Sequence, residues 1–152
     1  MNVPEPVLKS AIAPDEVRTR AGILDTSTVI LLPRLRDPDV LPEYPLITTV
    51  TLAELSVGPL VAKDDRERAA RQAHLQQAEA DFQPLPLDAS SARAFGRVAA
   101  SLRRGGRKPA ARAYDALIAA IALANELPVY TCNPGDFAGI EGLDVRTIPV
   151  PE

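Results

Sequence analysis

Five short runs of apolar and β-branched residues divide this chain of 152 residues: Gly22-Ile23-Leu24, Leu46-Ile47-Thr48-Thr49, Leu85-Pro86-Leu87, Pro128-Val129-Tyr130-Thr131 and Val145-Arg146-Thr147-Ile148. Each is too short for a helix and suits a buried strand, and helical stretches separate most of them. Parallel neighbours need a crossover, and a helical crossover covers a face of the sheet, so the pattern restricts the chain to an α/β fold with helices on both faces. Thr26-Ser27-Thr28 offers N-cap hydroxyls to a short helix over 29–32. Further helices are expected over about 51–61 and 64–81, from Asp88 or Ser90 to about Arg104 with Gly105-Gly106 ending it, and over 111–125. Residues 1–21 show no period and hold Pro4, Pro6 and Pro14; they read as an N-terminal extension, poorly ordered, in which Pro14-Asp15-Glu16-Val17 could open one short helix. Residues 22–152 read as one domain.

Composition removes several function classes. With no Trp, three Tyr and three Phe, a reader built on many stacked aromatics is not expected. One Cys and one His leave neither a disulfide nor a thiolate- or imidazole-rich zinc site, so a metal site here would rest on carboxylates. The longest apolar run, 116–124, falls far short of the roughly 20 residues that span a bilayer, and the first twenty residues lack a signal-peptide core. A cytoplasmic protein with no membrane partner is expected.

Ligands of open parallel sheets bind beyond the carboxyl ends of the strands. Four acids fall where that rule points: Asp25 at the end of the first strand, Glu54 in the helix after the second, Asp115 near the start of the helix before the fourth, and Asp136 in the loop after it. Each also has a plain structural reading. Asp25 could cap the following helix, and Thr51-Leu52-Ala53-Glu54 matches a capping box. Asp115 could pair with Arg112 on one helix face, and Asp136 follows the turn pair Pro134-Gly135. Taken together, four carboxylates at one rim repel unless a counter-charge joins them. An oxygen-only donor set favours Mg²⁺, with Mn²⁺ as the alternative, and such an ion suits phosphodiester hydrolysis.

Leu24-Asp25-Thr26-Ser27, Thr49-Val50-Thr51-Leu52-Ala53-Glu54-Leu55, Tyr114-Asp115-Ala116-Leu117-Ile118-Ala119-Ala120 and Thr131-Cys132-Asn133-Pro134-Gly135-Asp136-Phe137 follow one another in an order and spacing that resembles the PIN domain, specifically the VapC-type toxins of VapBC toxin–antitoxin pairs. The resemblance covers roughly residues 23–150. It implies a three-layer α/β/α sandwich around a central, mostly parallel sheet. It also implies a Mg²⁺-dependent ribonuclease in which Asp25, Glu54, Asp115 and Asp136 are the catalytic, metal-holding quartet. Ser27 and Thr131 would orient carboxylates or metal waters, and Asn133 would hold the loop. The implied reaction is attack of a metal-activated water on an RNA phosphodiester, leaving a 5′-phosphate and a 3′-hydroxyl. A homodimer and a VapB-like antitoxin partner are implied as well. The chain departs from the family in its twenty-odd leading residues and in Tyr114, where a small or amide residue is frequent.

Arg103, Arg104, Arg107, Lys108 and Arg112 put five cations in ten residues without an acid. Their plain reading is a solvated helix end. Beside a nuclease site, Arg112, Arg107 and Lys108 become candidates for gripping RNA, and Arg112 could equally neutralise the quartet. A catalytically silent PIN-like module that binds protein or RNA is the competing function. Phosphoryl transfer through an aspartyl intermediate at Asp25 fits poorly, because position 27, where such enzymes want an acid, is Ser. His74 is expected on the surface and Cys132 as a small buried thiol.

Overall fold

The computed structural model describes residues 15–151. Most of the expected N-terminal extension, 1–21, lies outside the described residues; residues 15–20 form α1 (Asp15–Arg20), Ala21 already belongs to the first strand, and Arg20 pairs with Glu43 at 3.1 Å. The order then runs β1 (Ala21–Leu24), α2 (Thr26–Leu31), β2 (Tyr44–Thr48), α3 (Thr49–Val57), α4 (Asp65–Asp81), β3 (Pro84–Leu85), α5 (Ala89–Arg104), α6 (Ala113–Ala124), β4 (Val129–Thr131) and β5 (Val145–Thr147). Single 3₁₀ turns over Leu32–Arg34, Pro38–Val40, Gly58–Val61, Pro109–Arg112 and Pro134–Phe137 each carry a proline in their first two positions, where its missing N–H leaves no bond unmade.

These prolines and caps explain where the helices depart from expectation. The helix foreseen over 51–61 stops at Val57, because Pro59 draws the chain into a 3₁₀ turn. The helix foreseen from 111 begins at Ala113, after the turn that Pro109 opens. The helix foreseen over 29–32 begins at Thr26, because Asp25 itself takes the N-cap, its carboxylate accepting from the Thr28 amide. Asp88 caps α5 through the Ser91 amide at 2.9 Å.

All strands pair in parallel, in the order β3-β2-β1-β4-β5. Period-two alternation sorts their side chains into two cores. Ala21, Ile23, Leu46 and Val129 face Ala94, Val98 and Leu102 of α5 and Ile118 and Ile121 of α6. Leu24 and Ile47 face the opposite way, onto Val29, Leu55, Ala78 and Phe82 from α2, α3, α4 and the residue that ends α4. The result is the three-layer α/β/α sandwich that the alternation of elements foretold. The apolar α6 buries Ala116, Ile118, Ala119, Ala120, Ile121 and Ala122, as a helix without a polar face must. Among the described residues no helix is long and apolar enough to cross a membrane.

The chain winds outward from β1 through β2 to β3, then returns to lay β4 on the other side of β1. The carboxyl ends of β1 and β4 therefore flank the switch point where open sheets of this kind form a crevice. At the other end of β1, a methyl group on Gly22 would stand 2.4 Å from the Tyr130 ring and 3.2 Å from Pro42. Only a residue without a side chain lets Tyr130 lie across the sheet, where Arg146 stacks on its ring and donates to its hydroxyl at 2.9 Å. Gly22→Ala is expected to cost about 1–3 kcal/mol through overpacking, read as a lower urea midpoint at unchanged m-value; an unshifted midpoint contradicts this packing.

Candidate active site

Asp25 follows β1 directly and is 2% exposed. A buried carboxylate is costly unless its oxygens are satisfied. Here all four acceptor positions are used. Oδ1 accepts from the Thr28 amide at 3.2 Å and the Thr28 hydroxyl at 2.5 Å. Oδ2 accepts from the Thr131 hydroxyl at 2.7 Å and the Ser27 hydroxyl at 3.2 Å. The same hydroxyls hold the loop after β4: the Asn133 amide donates to Thr131 Oγ1 at 2.9 Å, the Cys132 amide to Thr28 Oγ1 at 3.2 Å, and Asn133 Nδ2 to Ser27 Oγ at 3.1 Å. Ser27, Thr131 and Asn133 thus stand around Asp25.

Glu54 lies on α3, one turn beyond Thr51. The capping-box reading of this pair fails, because Thr48 is the N-cap and accepts from the Thr51 amide at 3.3 Å. Glu54 Oε1 instead accepts from the Thr26 hydroxyl at 2.7 Å, and Thr26 lies 2.9 Å from the Thr51 hydroxyl. Thr26 has a single proton, spent on Glu54, so Thr51 donates to Thr26. Burial pushes the Glu54 carboxyl above its usual range and the Asp25 charge adds to this, while the Thr26 bond pulls it back.

Asp115, in the first turn of α6, is pushed up from 3.8 to about 6, mainly by burial and then by Asp136, Asp25 and Glu54, with Arg112 opposing. Acids separated by up to 111 residues in sequence therefore share one electrostatic field. Asp136 sits in the Pro134–Phe137 turn and pairs with Arg112. The plain alternative of an Arg112–Asp115 pair along one helix gives way to a pair across 24 residues, since Arg112 ends a 3₁₀ turn rather than sitting inside α6. Arg107 donates to the Gly135 carbonyl at 3.0 Å, beside Asp136. Lys108, the next residue, is exposed.

The donor chemistry fits a hard divalent cation: four carboxylates, no imidazole or thiolate among them, and one carboxyl raised by burial and then by the charges of the rest. The side chains are nonetheless turned to internal partners, and among the described residues no three acids converge on one point as they stand. Asp136 would have to leave Arg112, and Asp25 one of its hydroxyls, to share a cation. Thr26, Thr28 and Thr51 were not foreseen as site residues. The signal was present, three hydroxyl residues directly after a strand-ending acid, but it reads equally as a helix start. His74 is half-buried and lines a cleft of about 400 Å³ with Val29, Leu32, Leu41 and Phe82 that none of the four acids reaches. Cys132 is buried, as expected.

The family model described as the PIN domain matches residues 23–142. The chain is 41% identical over 124 residues to Ribonuclease VapC5 of Mycobacterium tuberculosis, covering 80% of this chain and 89% of that one. It is 32% identical over 134 residues to Ribonuclease VapC4 of the same organism, covering 87% and 100%. Among solved structures it is similar to VapBC-5 from Mycobacterium tuberculosis, a member of the VapBC family of toxin–antitoxin systems, at a TM-score of 0.71 and 39% identity over 86% of this chain and 99% of that one.

A carboxyl raised on folding holds its proton more tightly in the folded state, so stability falls as pH rises from about 4 to about 6. Asp115→Asn removes that penalty. The variant is expected to melt about 2 °C above the wild type at pH 7.5, a modest gain because the group is partly solvated, with the gap closing toward pH 4. A wild type that is the more stable at pH 7.5 contradicts the crowding of acids described here.

Proposed function

The chain belongs to the PIN-domain family, and on that premise we propose that it is a divalent-cation-dependent endoribonuclease, the toxin of a type II toxin–antitoxin pair. The observation that supports this most is the meeting of Asp25, Glu54, Asp115 and Asp136 in one field at the switch point of the sheet. Two similar proteins are named ribonucleases, and a similar structure is a toxin–antitoxin member. The partner that follows for this chain is a VapB-like antitoxin.

Asp25, Glu54, Asp115 and Asp136 would hold Mg²⁺, with Mn²⁺ as the alternative. Bound there, such an ion supplies Lewis acidity to water and neutralises phosphate charge. The chain's own residues do the rest. Thr28 and Thr131 fix Asp25 from two sides, so its carboxylate does not reorganise when charge arrives. The Ser27 hydroxyl, at 3.2 Å the longer of the two hydroxyl contacts on Oδ2, is the contact most easily exchanged. Thr26 keeps Glu54 from swinging into solvent. Arg112 holds Asp136 while no substrate is present and can turn its planar fork to a phosphate. Arg107 and Lys108 extend the positive rim along which the RNA backbone approaches.

The silent binding module remains the second reading, favoured by the failure of any three acids to converge as they stand. Incubation of the purified protein with Mg²⁺ and structured RNAs separates the two: cleavage leaving 5′-phosphates is expected, whereas intact RNA together with no calorimetric Mg²⁺ binding selects the module. Asp25→Ala is expected to abolish cleavage, and wild-type rates in that variant contradict the assignment.

Arg112→Ala is expected to split two readouts. Removing a fixed cation from the acids tightens Mg²⁺ binding, while loss of the phosphate grip slows RNA cleavage about tenfold or more. Parallel loss of both instead makes Arg112 a structural prop of the acid cluster.

A further inference from the structure

We propose that Tyr114 is a stacking platform for a nucleobase flanking the scissile phosphate. This rests on the ribonuclease reading above. All six aromatic residues of the chain lie among the described residues, and five of them are occupied. Phe82 and Phe137 are buried, and Phe95 packs against the core. Arg20 lies over the Tyr44 ring and Arg146 over the Tyr130 ring, each at 5.5 Å. Tyr114 is 57% exposed, and among the described residues its ring and hydroxyl have no partner.

Its position gives that exposure a use. Tyr114 immediately precedes Asp115, so its Cα lies about 3.8 Å from that of the acid. Two residues earlier stands Arg112, paired to Asp136. Tyr114 is thus an exposed aromatic side chain one residue from an acid of the cluster and two from the arginine of the basic rim. A cluster of carboxylates repels the phosphates of an approaching strand, and cations alone hold a strand without placing it. A base is the neutral part of a nucleotide, and its flat face stacks on an aromatic ring irrespective of the surrounding field. Stacking requires a base free of its neighbours and of a complementary strand, which a loop or bulge supplies and a duplex does not.

The test uses the full chain. Cuts made by the wild type with Mg²⁺ in structured RNAs are mapped, and a short oligonucleotide spanning one cut is prepared both intact and with an abasic nucleotide on either side of it. Tyr114→Ala is expected to lower kcat/KM on the intact oligonucleotide about 5- to 100-fold, with Tyr114→Phe within about twofold of wild type. One abasic substitution is expected to cost the wild type the same factor and to cost Tyr114→Ala nothing further, with calorimetric Mg²⁺ affinity equal in all three proteins. The proposal is overturned if Tyr114→Ala cuts as the wild type does, if the abasic penalty persists in that variant, or if Mg²⁺ affinity falls with the rate. The chain has no Trp, so Tyr114→Trp installs a single indole reporter. Quenching of its emission by the intact oligonucleotide without metal, and not by the abasic one, supports stacking even if the wild type cuts no RNA. Absence of quenching alongside normal wild-type cleavage overturns the stacking role and leaves the ribonuclease reading standing.

Discussion

The saturated carboxylate of Asp25 is the constraint on which the rest of the molecule depends. It is buried at the junction of the two central strands, and its four donors come from the turn after β1 and from the end of β4. Burying such a group with even one oxygen unpaired costs a sizeable part of a domain's net stability. Thr28 and Thr131 are themselves fully buried, each donating to the carboxylate and accepting a backbone amide from the loop after β4. One anion therefore starts α2, locks β1 to β4 at the switch point and shapes the loop that presents Asp136.

The remaining acids are held by different means. Glu54 is steadied by a hydroxyl chain from Thr51 through Thr26. Asp136 is held by the charge of Arg112, and Asp115 is crowded by all its neighbours. The site thus has a rigid side built on neutral hydroxyls and a responsive side built on charge. The buried Thr28 and Thr131 bonds hold Asp25 in place while the longer Ser27 contact gives way, whereas an ion pair exchanges readily with a cation or a phosphate. The division places preorganisation where a carboxylate must stay and adaptability where one must be released.

Much of the fold was legible in the sequence because its signals are local. Leu24, Ile47 and Val129 mark strands by composition, and Gly105-Gly106 marks the end of α5. The four acids could be placed at one rim because a parallel sheet sends every strand's carboxyl end the same way. What escaped is contact between distant residues and the competition between two local readings. The resemblance set Thr131 toward a carboxylate and the basic cluster set Arg112 toward the quartet, but no local signal names Asp25, 106 positions away, or Asp136 as the partner. Thr26-Ser27-Thr28 reads as a set of helix caps until Asp25 is seen to take the cap, which frees the hydroxyls for the acids. The cleft beside His74 escaped for a related reason: its polar helix gives no sign of the apolar walls formed by Leu32 and Phe82.

The order in which the chain leaves the ribosome has a consequence of its own. Three of the acids emerge well before β4, but Asp25 finds the donor from Thr131 only when that strand has docked against β1. Asp136 follows later still. A nascent polypeptide thus carries most of its charged groups through translation with no finished cup, surrounded by the very RNA such a cup would attack. Completion of the sheet is thus a topological precondition of the site, met only once β4 has docked against β1.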